Sequence, residues 1–193
     1  MFEWSDKFSI NIQTIDIQHQ QIFALLNELS ICCQSNNVSP IVVEKALMQI
    51  KAYSHKHFMI EEKLMQSAKV DEQHFRIHRM EHQSFAYDVN HFSVNGLTQQ
   101  KYIEATEKLV CFISNWWTYH ILGFDKSMSA QMFAIKNGAT PEQAFEQHQQ
   151  IKLDAEITRL MISSVLDLWR TANSQCRQLE KILANTKTPF PKP

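Results

Sequence analysis

The sequence predicts an all-α protein, namely an up-down-up-down four-helix bundle with an additional long C-terminal helix. Only three glycines occur among 193 residues, which leaves few of the positive-φ positions that hairpins and nucleotide-binding loops require. Apolar residues recur at spacings of three and four, the period of an amphipathic helix. Short breaks rich in Asn, Gly, Ser or Pro separate these stretches, and short connections favour antiparallel neighbours.

Capping residues bound the first two predicted helices. Asp16 is expected to cap a first helix that ends near Ser35. Ser39 and Pro40 then supply an N-cap and a first helical residue, because the fixed φ of proline suits that position. The second helix is predicted to extend to about Met65.

Asparagine-glycine pairs delimit the third and fourth predicted helices. The third covers about Asp71 to His91 and ends before Asn95-Gly96. The fourth begins near Thr98 and continues to the break at Asn137-Gly138. Because the connections are short, consecutive helices are expected to run antiparallel.

Residues 137–193 are predicted to form a helical extension to a bundle made by residues 1–136. A Thr-Pro-Glu-Gln capping box at Thr140 starts a fifth helix, which is expected to reach about Asn185 before a proline-rich tail. Its apolar stripe follows alternating steps of four and three, as in a coiled coil. The stripe consists of Met161, Val165, Leu168, Ala172, Gln175, Leu179 and Ile182. The same stripe is compatible with packing against the bundle.

Charge and composition argue against several classes of function. Nineteen Lys plus Arg against twenty Asp plus Glu give a net charge of −1, so there is no basic surplus for binding a nucleic acid. Apolar runs are only a few residues long, far short of a membrane span. The N-terminal residues lack the pattern of a signal peptide, and a cytoplasmic location is expected.

Nine histidines are the main anomaly of the composition, and several have the spacing of metal ligands. Residues four apart share one face of a helix, and His57 and Glu61 have that spacing. On the third helix, the spacing allows either His74 with His78 or His78 with His82. Spacing alone leaves both pairs open.

The first and fourth helices add further candidate ligands, His19 on the first and His120 with Asp125 on the fourth. A spacing of five corresponds to about 140° on a regular α-helix. His120 and Asp125 therefore require either a local distortion of the helix or a side chain that reaches around it, and Gly123 lies between them. Burying this many histidines and carboxylates without a metal would leave costly polar groups, so the constellation predicts a metal site.

Several short motifs resemble the successive signatures of the hemerythrin family, and of bacteriohemerythrins in particular. The resemblance extends from about Trp4 to Ala134. The motifs are Ile15-Asp16-Ile17-Gln18-His19, His57-x3-Glu61, His78-x2-Glu81-His82-x2-Phe85 and His120-Ile121-x3-Asp125-Lys126. The resemblance selects His78 with His82 rather than His74 with His78. It likewise selects Glu61 rather than Glu62.

The resemblance implies a non-haem di-iron centre that reversibly binds dioxygen. The implied ligands are His78, His82 and His120 for one iron, His19 and His57 for the other, and Glu61 and Asp125 as bridges. Trp116 and Ile121 match positions that line the oxygen pocket of the family. Met128 stands where many members have tyrosine, a change that bears on oxygen affinity rather than on metal binding.

The extension beyond the bundle favours an oxygen or redox sensing module over a simple oxygen carrier. Its partner would be a second copy of the chain or a signalling protein bound through the C-terminal helix. The alternative class is a di-iron enzyme that reduces oxygen, peroxide or nitric oxide. Ferritin-like bundles use Glu-x2-His pairs, and this sequence contains none. A non-enzymatic oxygen-binding protein is therefore expected.

Overall fold

The structure, a computed structural model, describes residues 3–34, 39–92, 99–148, 156–168, 170 and 177. These residues form helices and contain no strand, which confirms the all-α prediction. The helices are α1 (Gln13–Gln34), α2 (Pro40–Ala68), α3 (Glu72–His91), α4 (Gln99–His120), α5 (Lys126–Lys136), α6 (Pro141–His148) and α7 (residues 156–168). A 3-10 turn at Asp6–Phe8 precedes α1, and a π-helical turn at Ile121–Asp125 joins α4 to α5.

The four long helices pack as neighbours around a common core. Helix α1 contacts α2 and α4, and α3 contacts the same two helices. The π-helical turn continues α4 directly into α5, so these three segments form one interrupted helix. This arrangement gives each of the four long helices a face toward the centre of the bundle.

Apolar side chains from α1 and α2 fill much of that centre. Ile22 and Leu29 on α1, and Val43 and Ile50 on α2, are completely buried. Leu26 and Leu47 between them are also buried and complete the steps of four and three seen in the sequence. Within the described ranges, no helix combines the length and apolar character needed to cross a membrane.

The start of α1 differs from the prediction. The helix begins at Gln13, so Asp16 lies within its first turn and is not the N-cap. Instead, the Asp16 carboxylate accepts hydrogen bonds from the Ile10 backbone N–H at 2.8 Å and from the Ser9 hydroxyl at 2.7 Å. Asn11, two residues before the start of α1, has a φ of 60°, which lies in the left-handed region of the backbone. Asp16 therefore connects the N-terminal segment to α1 through its side-chain hydrogen bonds and does not act as the N-cap of the helix.

Two other helix starts behave as predicted. The Asp71 carboxylate accepts hydrogen bonds from the backbone N–H groups of Gln73 and His74, which fixes the start of α3. At α6, the Thr140 hydroxyl accepts from the Gln143 N–H, and the Gln143 side chain accepts from the Thr140 N–H. The capping box of the extension is thus formed in both directions.

The predicted fifth helix is seen only in part. Helices α6 and α7 lie within it, while residues 149–155, 169, 171–176 and 178–193 lie outside the described residues, so its continuity and its end stay predictions. Met161 and Leu168 of the predicted stripe pack against the core of the bundle, whereas Val165 is 44% exposed. The described part of the stripe is therefore divided between the bundle and an outer face, while Ala172, Gln175, Leu179 and Ile182 lie outside the described residues.

Candidate metal centre

Four helices and the π-helical turn bring seven candidate ligands to one place. All seven side chains are at most 3% exposed, although every one is polar. They are His19 on α1, His57 and Glu61 on α2, His78 and His82 on α3, His120 at the end of α4, and Asp125 at the end of the π-helical turn. The structure thus collects all the residues that sequence analysis singled out as ligands.

Three histidines form one group of facing nitrogens. The Nε2 atoms of His78 and His82 each lie 3.2 Å from His120 Nε2. Glu61 Oε2 lies 3.2 Å from His82 Nε2. Asp125 Oδ1 lies 3.2 Å from the Nε2 atoms of both His78 and His120. Each carboxylate therefore presents one oxygen to this three-histidine group.

The other two histidines form a second group beside the first. Glu61 Oε1 lies 3.1 Å from His57 Nε2, and Asp125 Oδ2 lies 3.2 Å from His19 Nε2. These two oxygens are different from the two carboxylate oxygens that approach the three-histidine group. Both carboxylates consequently span the two groups, with one oxygen on each side, which is the arrangement required of a bridging ligand.

Local helix geometry explains two of these placements. His57 and Glu61 are separated by four residues on regular α2, so they project from one face. His120 and Asp125 are separated by five residues, and the π-helical turn between them brings both side chains to the same group. Of the two alternatives that the spacing of five left open, a local distortion or a side chain that reaches around the helix, the structure shows the distortion.

The rejected candidates His74 and Glu62 lie next to the centre but outside both groups. The His74 ring packs edge-on against His78 with centroids 5.4 Å apart. Burial lowers the pKa of His74 to about 3, and His78 adds to that effect, so the imidazole is neutral near pH 7. Its neutral ring also contacts Phe145 of α6, as a packing residue would.

A layer of hydrogen bonds orients two of the histidine rings. His57 Nδ1 donates to Gln18 Oε1 at 2.9 Å, and His82 Nδ1 donates to Glu62 Oε1 at 3.1 Å. Each bond fixes the tautomer in which Nε2 carries the free lone pair that a metal requires. Neither partner was predicted from the sequence, because each lies on a helix next to that of its histidine. Gln18, for example, is 39 residues away from His57 in the sequence.

Aromatic rings enclose the centre. Phe58 stacks on His82 with centroids 4.0 Å apart, and Trp116 stacks on His120 at 4.3 Å. Trp117 contacts the two-histidine group, with its centroid 5.2 Å from that of His57. Sequence analysis named Trp116 but missed Trp117, although Trp117 follows Ile113 by four residues and precedes His120 by three, which is core spacing.

Charges in the centre balance one another. Burial and Asp125 would raise the pKa of Glu61, but His57 and His120 hold that pKa well below its usual range. Burial likewise opposes ionisation of Asp125, and His120 and its neighbours hold the Asp125 pKa well below its usual range. Burial would lower the pKa of His120, but the two carboxylates raise it to about 9. A cation that binds here would replace protons on histidine, so binding releases protons.

The unpaired polar atoms fit a metal site. Within the described residues, the four carboxylate oxygens of Glu61 and Asp125 have no hydrogen-bond partner, and neither do the Nε2 atoms of His19 and His57. Buried polar atoms without partners cost several kcal/mol in total, at about 1–3 kcal/mol each. Imidazole nitrogens combined with carboxylates suit first-row transition metals. The residues present therefore fit a pair of such ions.

The fold and the site together define a class of protein. A helical bundle that buries two adjoining sets of histidine and carboxylate ligands is a metal-binding protein. The family model of the hemerythrin HHE cation-binding domain matches residues 11–131 of the chain. The chain therefore belongs to the hemerythrin family, as the sequence motifs indicated. Comparisons with curated proteins and with solved structures give no match.

Replacing His78 and His74 separately tests which α3 histidines hold the metal. His78→Ala should weaken metal binding by at least about tenfold, since changes outside the coordinating atoms already reach that scale. His74→Ala should keep the metal content of the wild-type protein, because its ring lies outside both groups. Elemental analysis after dialysis measures both. Equal loss of metal from the two variants would show that the ligand groups have been assigned incorrectly.

Proposed function

We propose that the protein holds two iron ions and reversibly binds dioxygen. The observation that carries this proposal is the placement of Glu61 and Asp125. Each carboxylate presents one of its oxygens to the three-histidine group and the other oxygen to the two-histidine group. If only one carboxylate lay between the two groups, a single metal ion in one group and a hydrogen-bonded histidine in the other would explain it. Because both carboxylates lie between the groups, the arrangement supports one metal ion in each group. When bound, two ferrous ions would supply the two electrons that reversible dioxygen binding requires.

The two groups are unequal, and the inequality supports a ligand-binding role. The three-histidine group offers three nitrogens and two carboxylate oxygens, while the two-histidine group offers two of each. If each ion were six-coordinate, the group of His19 and His57 would leave more positions for a small ligand. An open position is what separates metal sites that bind ligands from purely structural sites.

The contribution of the surrounding residues is to exclude water from that open side. Trp117 is completely buried, and it contacts both His57 and His19, the latter with centroids 6.3 Å apart. Trp116 packs edge-on against Trp117, and Ile121 is also completely buried. We assign these three residues to the wall of the oxygen pocket, Trp116 and Ile121 from their sequence positions and Trp117 from its contacts. A dry pocket protects a bound ligand from protonation and loss.

The site favours binding over catalysis. Five of its seven ligands are imidazoles, whereas the di-iron bundles of the ferritin class use mostly carboxylates in Glu-x2-His pairs. Met128 is completely buried at the position where many relatives of this family carry a tyrosine. Its thioether offers no proton to the centre. The imidazole-rich ligand set therefore supports reversible binding, whereas Met128 bears on oxygen affinity and on the rate of oxidation.

Helix α7 supports a sensing role with a second copy of the chain as partner. Its inner side packs on the bundle, and its outer side exposes the apolar residues Ile162, Val165 and Leu166. These residues follow helical spacing, so they form one face. A carrier has no need of such a face, whereas a sensor requires a surface that transmits its state.

The first test of oxygen binding is optical. Reduced, iron-loaded protein should be nearly colourless, should gain a visible absorption band in air and should lose that band when the solution is flushed with argon. Several cycles with unchanged amplitude are expected if binding is reversible. A single irreversible change to the oxidised spectrum, even in rapid mixing, would contradict oxygen binding and favour a redox sensor or an oxidase.

Tryptophan variants test the wall of the pocket. Trp117→Ala should make the air-dependent band fade at least about tenfold faster than in the wild type, because the cavity would admit water beside His19 and His57. Trp116→Ala should have a smaller effect, since Trp116 stacks on His120 of the other group. Stopped-flow absorbance measures both rates. Fading at the wild-type rate in Trp117→Ala would return this residue to a packing role.

Light scattering tests the second copy. The full chain should be a dimer, and Val165→Glu should convert it to a monomer by placing a charge on the apolar face. Ser163→Glu is the matched control, because Ser163 is exposed on the same helix but is not part of that face. A monomeric wild-type chain, or a dimer that survives Val165→Glu, would contradict this interface.

A further inference from the structure

The π-helical turn is the least regular element of the metal centre and the one on which two ligands depend. His120 Nε2 and Asp125 Oδ1 lie 3.2 Å apart only because the turn replaces regular helix between them. If the segment relaxed to α-helix, the two side chains would point about 140° apart. π-helical turns are rare within α-helices and occur frequently at functional sites, so the contacts that hold this one bear on the metal centre.

One such contact comes from helix α7. A Cβ atom built on Gly123, in the middle of the turn, would lie 3.1 Å from the terminal methyl carbon of Met161. Among the described residues outside its own helical neighbourhood, no other heavy atom lies within 4 Å of that position. The absence of a side chain at Gly123 therefore provides the space into which Met161 fits.

Met161 is held in place by the packing of its own helix. Ile157 is buried one turn earlier, and Leu160 and Leu168 also pack against the core of the bundle. At the start of α7, Glu156 forms an ion pair with Lys7 of the N-terminal segment. The methionine is thus delivered by an anchored helix.

The geometry points to Met161 as a positioning residue for the metal centre. Seated against Gly123, it stabilises the π-helical turn and so keeps His120 and Asp125 on the same metal ion. This inference rests on the metal-binding part of the proposed function and is independent of dioxygen. Helix α7 lies outside the segment that the family model matches, residues 11–131, so a part of the chain beyond the family domain would tune its metal site.

The contact works in both directions. Because coupling between two sites is reciprocal, a metal that fixes the π-helical turn also fixes the seat of Met161. Metal loading should therefore slow amide exchange in residues 156–168 as well as in the turn itself. This gives the inference a readout that does not depend on oxygen or on any activity.

The test uses the full chain loaded with iron under nitrogen. Met161→Ala should release iron to a chelator about tenfold faster than the wild type, the scale typical of changes just outside the coordinating atoms. Met161→Leu, which preserves the bulk, should stay near the wild-type rate. Leu160→Ala is the matched control, because it truncates a neighbouring residue of α7 that also packs on the core. It should lower thermal stability without accelerating release.

A double-mutant cycle with Gly123→Ala identifies the contact itself. Gly123→Ala alone should accelerate iron release, since its methyl group meets Met161, but it should add nothing further to Met161→Ala, where that space is free. Metal loading should slow amide exchange of residues 156–168 in the wild type and not in Met161→Ala. Equal release from Met161→Ala and Leu160→Ala, or additive effects in the cycle, would overturn the role of Met161 alone. A wild-type chain that binds no metal would overturn this inference and the proposed function together.

Discussion

The position of two carboxylates between two groups of histidines is the constraint that the rest of this structure satisfies. Glu61 and Asp125 lie in the core with both oxygens of each committed to opposite sides. A shift of one helix by a single residue would move its ligand to another face. The register of all four long helices is therefore fixed by the ligands as much as by the apolar packing around them.

Meeting that requirement has an energetic cost in the protein chain alone. Glu61, Asp125, His19 and His57 leave buried atoms without partners in the described structure, and such atoms oppose folding. Metal binding removes this penalty, so part of the binding free energy contributes to folding. The aromatic layer around Phe58 and Trp117 keeps water, the competing partner, away from these atoms. Stability and ligand binding therefore depend on the same residues.

Local patterns in the sequence were sufficient for most helices and for the candidate ligands, whereas the choice of His78 with His82 over His74 with His78, and of Glu61 over Glu62, came from the resemblance to the hemerythrin family. A spacing of four placed His57 with Glu61, and a spacing of five called for either a distortion before Asp125 or a side chain reaching around the helix, because both follow from the geometry of one helix. Contacts between helices had no such signal, as the pairing of His57 with Gln18 and the seat of Met161 on Gly123 show. Asp16 was assigned to the wrong role for the same reason, since its partners lie in an irregular segment before the helix.

The proposed function requires that Glu61 and Asp125 bridge two metal ions. Anomalous diffraction at the iron edge, from crystals of iron-loaded protein, tests that claim directly. Two iron peaks of similar height are expected, one among His78, His82 and His120 and the other beside His19 and His57, with both carboxylates between them. One iron peak in fully loaded protein, or two peaks that share neither carboxylate, would contradict it.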